Sequence, residues 1–187
     1  MAERGRTEIR RRDRARDDAW TRDFIRQARV GVLAMTRGEQ PLVNSNLFVY
    51  DHARHAVYIH TARTGLTRDS LSRRVQVCFS AFEMGRLLPA DEALEFSVEF
   101  ASVTAFGTGS VVEDPAEARE ALQMLLDKYA PELRPGRDYR AITDGELKRT
   151  AVYRIDIEDW TGKLKLVEDG FPGAFRVPPP EIFPRAR

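Results

Sequence analysis

Apolar and polar positions along the chain follow two periods. Over several short runs they alternate every second residue, the signature of half-buried strands; elsewhere apolar residues recur every three to four positions, as on one face of a helix. The alternation predicts strands over residues 30–37, 42–50, 56–60 and 75–82, separated by turn-forming stretches such as Gly38-Glu39-Gln40-Pro41 and Asp51-His52-Ala53-Arg54. Residues 83–95 are acidic and marked by glycine and proline, which predicts a long loop. A strand over about 97–112 follows, and Gly107 and Gly109 mark where so long a strand bends. A last strand over 151–157 turns Ala151, Tyr153, Ile155 and Ile157 inward and Val152, Arg154, Asp156 and Glu158 outward.

Helical spacing is confined to three places. Asp17 or Asp18 caps a helix to about residue 28, with Trp20, Phe24 and Ala28 on one face. Residues 67–73 fit a single short helix. Asp114-Pro115-Ala116-Glu117 combines an N-cap, a first-turn proline and a capping-box acid, opening a helix whose Ala118, Ala121, Leu122, Leu125, Leu126 and Tyr129 form one stripe.

A doubly wound α/β sheet needs a helix after nearly every strand, and this chain lacks them. The expected fold is therefore mainly β: antiparallel strands rolled into a closed or partly closed β-barrel, which removes exposed edges, with flanking helices. At 187 residues and 42% hydrophobic composition one domain suffices. The expected division is a flexible basic arm (1–16), a barrel domain (17–169) and an extended proline-rich tail (170–187).

Composition narrows the function classes. Formal net charge is only +1, and the positive excess sits at the front, where residues 1–17 hold seven arginines against four acids. That arm has no interleaved aromatics and no reading helix, so no nucleic-acid partner is expected. No apolar run approaches the ~20 residues of a membrane span, and no apolar segment follows the arginines as in a secretory signal; a cytoplasmic protein without a membrane partner is expected. Cys78, the only cysteine, lies in an apolar strand and excludes an intrachain disulfide. His52 and His55 lie in a hairpin turn, read as solvated, and no metal site is expected. Gly107-Thr108-Gly109 is neither a phosphate-binding loop nor a dinucleotide fingerprint, and no Ser/His/Asp spacing suggests acyl transfer.

Candidate chemistry concentrates in residues 42–62, LVNSNLFVYDHARHAVYIHTA. Two strands here carry Asn44, Ser45, Asn46, His60 and Thr61 among residues that favour burial (Leu42, Leu47, Val49, Val57 and Ile59), which makes the pair a candidate pocket wall. Directly after it, Arg63-Thr64-Gly65-Leu66-Thr67-Arg68 offers two guanidiniums around a glycine turn, suited to an anionic group. Trp160, followed by Thr161-Gly162-Lys163, pairs a flat ring with a cation.

Taken in order, these segments resemble the pyridoxamine 5′-phosphate oxidase-like split β-barrels, and among them the branch related to 5-nitroimidazole-resistance flavoproteins. The resemblance covers roughly residues 20–163. It rests on Val32-Leu33-Ala34-Met35, the 41–50 strand, Tyr58-Ile59-His60-Thr61-Ala62-Arg63-Thr64-Gly65, Ser97-Val98-Glu99-Phe100-Ala101-Ser102-Val103 with Gly107, and Thr161-Gly162-Lys163. It implies an antiparallel split barrel of the FMN-binding type, forming a homodimer with cofactor at the interface and acting as an oxidoreductase that uses NADPH or NADH to reduce a small acceptor such as a nitroaromatic. It further implies that Asn44, Ser45 and Asn46 line the isoalloxazine edge, that His60, Thr61 and Ala62 approach the ribityl chain or phosphate, and that Arg63, Leu66, Thr67 and Arg68 form the phosphate turn. Ser102 matches a flavin-contacting strand position, and Trp160 and Lys163 match a region that reaches the cofactor from the other subunit. His60 is the candidate catalytic residue. Two departures stand out: Thr67 occupies a position where the branch commonly has lysine, leaving the phosphate charge to Arg63 or Arg68, and Phe100 replaces a tyrosine. The alternatives are a flavin-binding or haem-binding split barrel without turnover, His60 being a possible haem ligand, and a deazaflavin-dependent reductase.

Overall fold

In the computed structural model, which describes residues 5–179, the alternating runs become one antiparallel sheet. In chain order the elements are β1 (Ala15–Arg16), α1 (Asp18–Gln27), β2 (Gly31–Arg37), β3 (Gln40–Asn46), β4 (Val49–Asp51), β5 (Ala56–Ala62), α2 (Leu66–Ser70), β6 (Val75–Leu88), β7 (Ser97–Val111), α3 (Pro115–Tyr129), α4 (Asp144–Leu147), β8 (Thr150–Lys165) and β9 (Phe175–Arg176). Hydrogen-bonded neighbours run β3-β2-β6-β7-β8-β5-β4, with β1 added to β8 and β9 to β6.

β3 and β4 are the two ends of that path, yet only Leu47 and Phe48 separate them in sequence. Three Cα steps span at most ~11 Å. The sheet must therefore roll until its free edges lie side by side, and they do so without pairing: of the two expected forms, the sheet takes the one that is not closed. Residues 42–50, expected as one strand, are accordingly two.

Phe48 fills the junction. Its buried ring meets Phe79 edge-on at 4.8 Å between centroids. Its backbone N–H donates to the Tyr129 hydroxyl at 3.0 Å, and its carbonyl accepts from Lys128 Nζ at 2.9 Å. Lys128 also donates to the Ala28 carbonyl at 2.8 Å and sits 3.8 Å from the centre of the Phe48 ring. The C-terminal end of α3 thus ties α1, the β3–β4 link and the sheet together, and burial pulls the Lys128 ammonium down to about 8.

Two cores result. Inside the roll lie Leu33, Met35, Phe48, Val57, Ile59, Phe79, Val103, Tyr153 and Ile155, closed by Ile25 and Ala28 of α1. Outside it, Ala118, Ala121 and Leu125 of α3 cover Val49, Ala56, Tyr58 and Val152. Val152, expected to face outward, is therefore buried beneath α3; β5 from Ala56 to Ile59 and the start of β8 (Ala151–Tyr153) are covered on both sides. Leu47, expected in the core, is 50% exposed. On α1 the buried stripe is Thr21 and Ile25 with Ala28, while Trp20 and Phe24 stack on each other at its flank.

The expected loop over 83–95 is strand in its first half, because β6 continues to Leu88 beside the long β7, with a register shift between Met84 and Leu87; residues 89–95 form the connection, ending in a helical turn over Ala93–Glu95. The β7 bend falls where the glycines placed it: the register with β8 shifts between Phe106 and Gly107, and a Cβ at Gly107 would lie 1.9 Å from the Asp156 carbonyl oxygen. The arm and tail, expected to be flexible and extended, extend beyond the described residues at 1–4 and 180–187. Their described parts touch the sheet through β1, β9 and the ion pairs of Arg6 with Glu158 and Asp159.

Two outcomes follow for stability. Leu125→Ala should cost about 2–5 kcal/mol in urea unfolding, and Leu126→Ala, whose side chain is 38% exposed, clearly less. Lys128→Met should cost about 1–3 kcal/mol at pH 7 by removing the donor to the Ala28 carbonyl and one of the two donors to the Phe48 carbonyl, whose other is the Tyr129 hydroxyl. The folded state releases the Lys128 proton at about 8 and the unfolded chain at about 10.5, so the unfolded state binds more protons between those values. Wild-type stability relative to Lys128→Met should therefore rise as the pH is raised from 8 towards 10, measured as denaturation midpoints at each pH.

Candidate functional site

The polar edge of β3 and the arginine turn after β5 meet at one end of the roll, where α2 lies against β2 and β5. Gly65 makes the turn possible: its φ of 122° is a conformation that side chains disfavour, and it brings the chain from β5 directly into α2. Asn44 Nδ2 then donates to Thr67 Oγ1 at 2.9 Å, joining strand to turn, and Asn46 Nδ2 donates to the Asn44 carbonyl at 2.9 Å. Thr61 Oγ1 donates to the Ala62 carbonyl at 2.8 Å and lies 3.0 Å from the Tyr153 hydroxyl, which must supply the proton of that second bond.

Both guanidiniums of the turn are weakly engaged. Arg63 donates only to the Lys148 carbonyl, at 3.4 Å, among the described residues, and lines a cavity of about 340 Å³ with Glu113, Pro115, Asp144 and Lys148. Arg68 is 3.9 Å from Glu113, whose side chain is largely exposed. Leu66 and Ala62 lie exposed beside them. Two cations with so little compensation at a turn of free backbone are chemically suited to a phosphate.

Strand alternation separates residues that the sequence grouped together. Asn44 and Asn46 stand opposite Leu33 and Gly31, whereas Ser45 stands opposite Val32 on the outer side of the sheet. Thr61 shares its side of β5 with Val57 and Ile59, which face the inner core; His60 shares its side with Tyr58, which faces α3. His60 thus lies in a different recess, of about 350 Å³, with Leu47, Leu122, Leu125, Leu126 and Tyr129. Glu146 and Thr150 line the same recess, and burial there lowers the His60 pKa from the ordinary imidazole value.

The outer face of the sheet carries the remaining site residues. Across it, Ser45 pairs with Val32, Val32 with Ser80, Phe82 with Ser102, and Ser102 with Lys163. Val43, Phe82 and Met84 on this face are 73%, 55% and 47% exposed. Trp160 is anchored elsewhere: Nε1 donates to Asp18 at 2.9 Å, and the ring packs against Tyr50 and edge-on to His55. Thr61 pairs with Ala151 on β8, and Lys163 lies twelve residues further along, roughly 40 Å of extended strand. Within one chain, Trp160 and Lys163 do not reach the arginine turn.

His55, expected to be solvated, is half-buried and accepts or donates a 2.7 Å bond with the Tyr50 hydroxyl. Sequence reasoning also passed over the polar roles of Tyr129, Lys128 and Tyr153. Their partners lie 81, 80 and 92 residues away, so no local spacing signals them.

The family model described as pyridoxamine 5′-phosphate oxidase matches residues 17–164. Among solved structures, the flavocytochrome Anf3 from Azotobacter vinelandii superposes with a TM-score of 0.74 at 25% identity, covering 97% of this chain and 90% of that one. The FAD and heme binding protein from Mycobacterium smegmatis gives a TM-score of 0.70 at 24% identity over 80% of this chain and 71% of that one. A protein assigned to 5-nitroimidazole antibiotic resistance, from Bacteroides thetaiotaomicron, gives 0.64 at 21% identity over 79% and 84%. No curated protein matches.

Proposed function

Because the chain belongs to the pyridoxamine 5′-phosphate oxidase family, we propose that it is a flavin-dependent oxidoreductase with FMN as cofactor. In this reading it works as a homodimer, takes electrons from NADPH or NADH and passes them to a small acceptor such as a nitroaromatic. The observation that carries the reading is the Asn44–Thr67 bond, which sets the polar edge of β3 against a turn holding two scarcely compensated guanidiniums. That is the donor set a phosphorylated ring compound needs: cations at the phosphate, amide donors at the ring edge and apolar walls between. The flavocytochrome and the FAD and heme binding protein are built on the same fold.

Arg63, Thr67 and Arg68 would hold the phosphate, Thr61 and Ala62 the ribityl side, and the β3 edge the ring. Bound there, a flavin supplies the two-electron redox chemistry, so the chain need not provide a catalytic acid. A second copy supports the reading in two ways. It would bury the exposed Val43, Phe82 and Met84, and it would bring Ser102, Trp160 and Lys163 to a turn they do not reach within their own chain.

One observation favours a haem as a second group. The His60 recess is walled by Leu47, Leu122, Leu125 and Leu126, with Glu146 at its rim, and burial lowers the imidazole pKa, which favours the neutral form that ligates iron. A Soret band in the purified protein that disappears in His60→Ala while the flavin spectrum persists would establish it.

The cofactor is tested by the visible spectrum of the purified protein, or of protein soaked with FMN, and by chromatography of the chromophore released by heat. FMN is the expected product; absence of any flavin band after soaking defeats the reading. Replacing Arg63 and Arg68 together with Gln should weaken FMN binding by about tenfold or more, since hydrogen bonds to charged groups contribute about 1.5–3 kcal/mol each. The melting temperature of the apoprotein should stay within a few degrees, because Arg63 is exposed and the half-buried Arg68 has only a 3.9 Å contact with the exposed Glu113 among the described residues. Unaltered FMN affinity in a fluorescence titration would exclude this turn as the phosphate site.

A further inference from the structure

Four cations converge on one small pocket where the arm meets the end of β8. Arg11, Arg14, Arg16 and Lys165 line a cavity of about 240 Å³ with Asp13, Leu164 and Leu166. All four cations fall outside the residues 17–164 that match the family. The pocket shares no lining residue with the arginine turn.

Backbone pairing, not chance contact, places these charges. Ala15 and Arg16 pair with Lys163 and Gly162, so the arm enters the sheet as β1 directly after a helical turn over Arg12–Arg14. Arg14 ends that helical turn and Arg16 lies in β1, and both line the pocket. Compensation is slight. The one carboxylate, Asp13, is already taken by Arg11 through bonds of 2.9 and 2.7 Å, which hold its carboxyl down at about 2. Arg16 donates to the carbonyl of Ala15 at 2.8 Å, Lys165 to the Ser97 hydroxyl, and Arg14 lies over the Phe100 ring at 5.8 Å. Burial first, then Arg14 and Arg11, lower the Lys165 pKa, as expected where like charges are held together.

We propose that this pocket binds a small, multiply charged oxyanion of the phosphate class, a phosphate or pyrophosphate group, with Arg14, Arg16 and Lys165 as its donors. An anion there relieves the mutual repulsion of the cations, and the planar guanidinium forks match its oxygens. The cavity is smaller than the ~300 Å³ at which pockets for drug-sized ligands begin, so it admits a head group and not a three-ring system. Phe100 pairs with Lys165 one row beyond Ser102 and Lys163, so the pocket borders the outer sheet face. The anion therefore has two possible sources: a free inorganic ion, or the phosphate of a nucleotide whose remainder lies along that face.

The test is a titration of the full chain with inorganic pyrophosphate at constant ionic strength, followed by calorimetry and by melting temperature. Saturable binding that raises the melting temperature is expected, weakened about tenfold or more in Arg16→Gln and in Lys165→Gln. An effect no larger than that of sodium chloride at equal ionic strength, or wild-type affinity in both variants, overturns the proposal. Circular dichroism checks that each variant folds; should Arg16→Gln disturb β1, Lys165→Gln and Arg14→Lys carry the comparison, with Arg14→Lys retaining more affinity than Arg14→Gln. Competition identifies the source: displacement of pyrophosphate by NADPH alone or by both NADPH and NADH assigns the site to a nucleotide phosphate, the 2′-phosphate in the first case and the diphosphate in the second, and displacement by neither assigns it to a free ion. Flavin binding is recorded separately on the same variants, so loss of the anion site leaves the cofactor reading intact.

Discussion

The two-residue bridge at Leu47–Phe48 constrains everything around it. A rolled sheet that does not close leaves two strand edges whose backbone groups must find partners or water. Phe48 stands in that gap with its ring against Phe79 and with its N–H and carbonyl satisfied by Tyr129 and Lys128. The Tyr129 hydroxyl also reaches the Arg29 carbonyl at 2.7 Å, and Lys128 reaches Ala28, so the same end of α3 holds the exit of α1. Where a closed barrel would use a ladder of strand hydrogen bonds, this chain uses one aromatic plug and two side chains from a helix. The position of β3, and with it Asn44 beside Thr67, depends on that junction.

Covering most of β5 and the start of β8 on both faces has a direct chemical consequence. Because α3 lies outside the roll, successive residues of β5 enter different environments: Thr61 reaches Tyr153 on the inner side while His60 joins the leucine recess under α3. One short segment therefore presents neighbouring residues to two environments, a polar one beside the arginine turn and a largely apolar recess beneath α3. A third, the cationic pocket of the arm, borders the outer sheet face. Three chemically distinct surfaces on one sheet follow from side chains that alternate and from a helix that covers only part of the outside.

The described parts of the arm and tail are held by charge as well as by pairing. Glu99, buried on β7, accepts from Arg86 Nε at 2.9 Å and from its backbone N–H at 3.1 Å, and Arg86 in turn donates to the carbonyls of Val167, Glu168 and Asp169. The Arg86 guanidinium holds the Glu99 carboxyl down at about 2. A Cβ at Gly85 would lie 2.7 Å from that of Glu99, so the absence of a side chain there is what lets the clamp close. The segment leaving β8 is thereby held against β6, near where β9 adds its short pairing.

Local rules were enough for what local forces decide. Asp114, Pro115 and Glu117 announce α3, the strand runs carry their period of two, and Gly107 marks the bend in β7, because caps, periodicity and missing side chains act over a few residues and are written in order along the chain. The resemblance of several such segments in sequence was enough for the family and the split-barrel architecture. What the tertiary structure decided concerns contacts across long separations. It broke 42–50 into two strands because the chain must cross between sheet edges at Phe48. It extended β6 into a stretch whose composition reads as loop because the long β7 offered a partner. It buried Val152 because α3 packs on the outer side of β8, and parted His60 from Thr61 because opposite faces of β5 meet different neighbours. Tyr129, Lys128 and the arm's cationic pocket were illegible for the same reason: each acquires its role from residues far away in the chain, and that proximity exists only once the sheet has rolled.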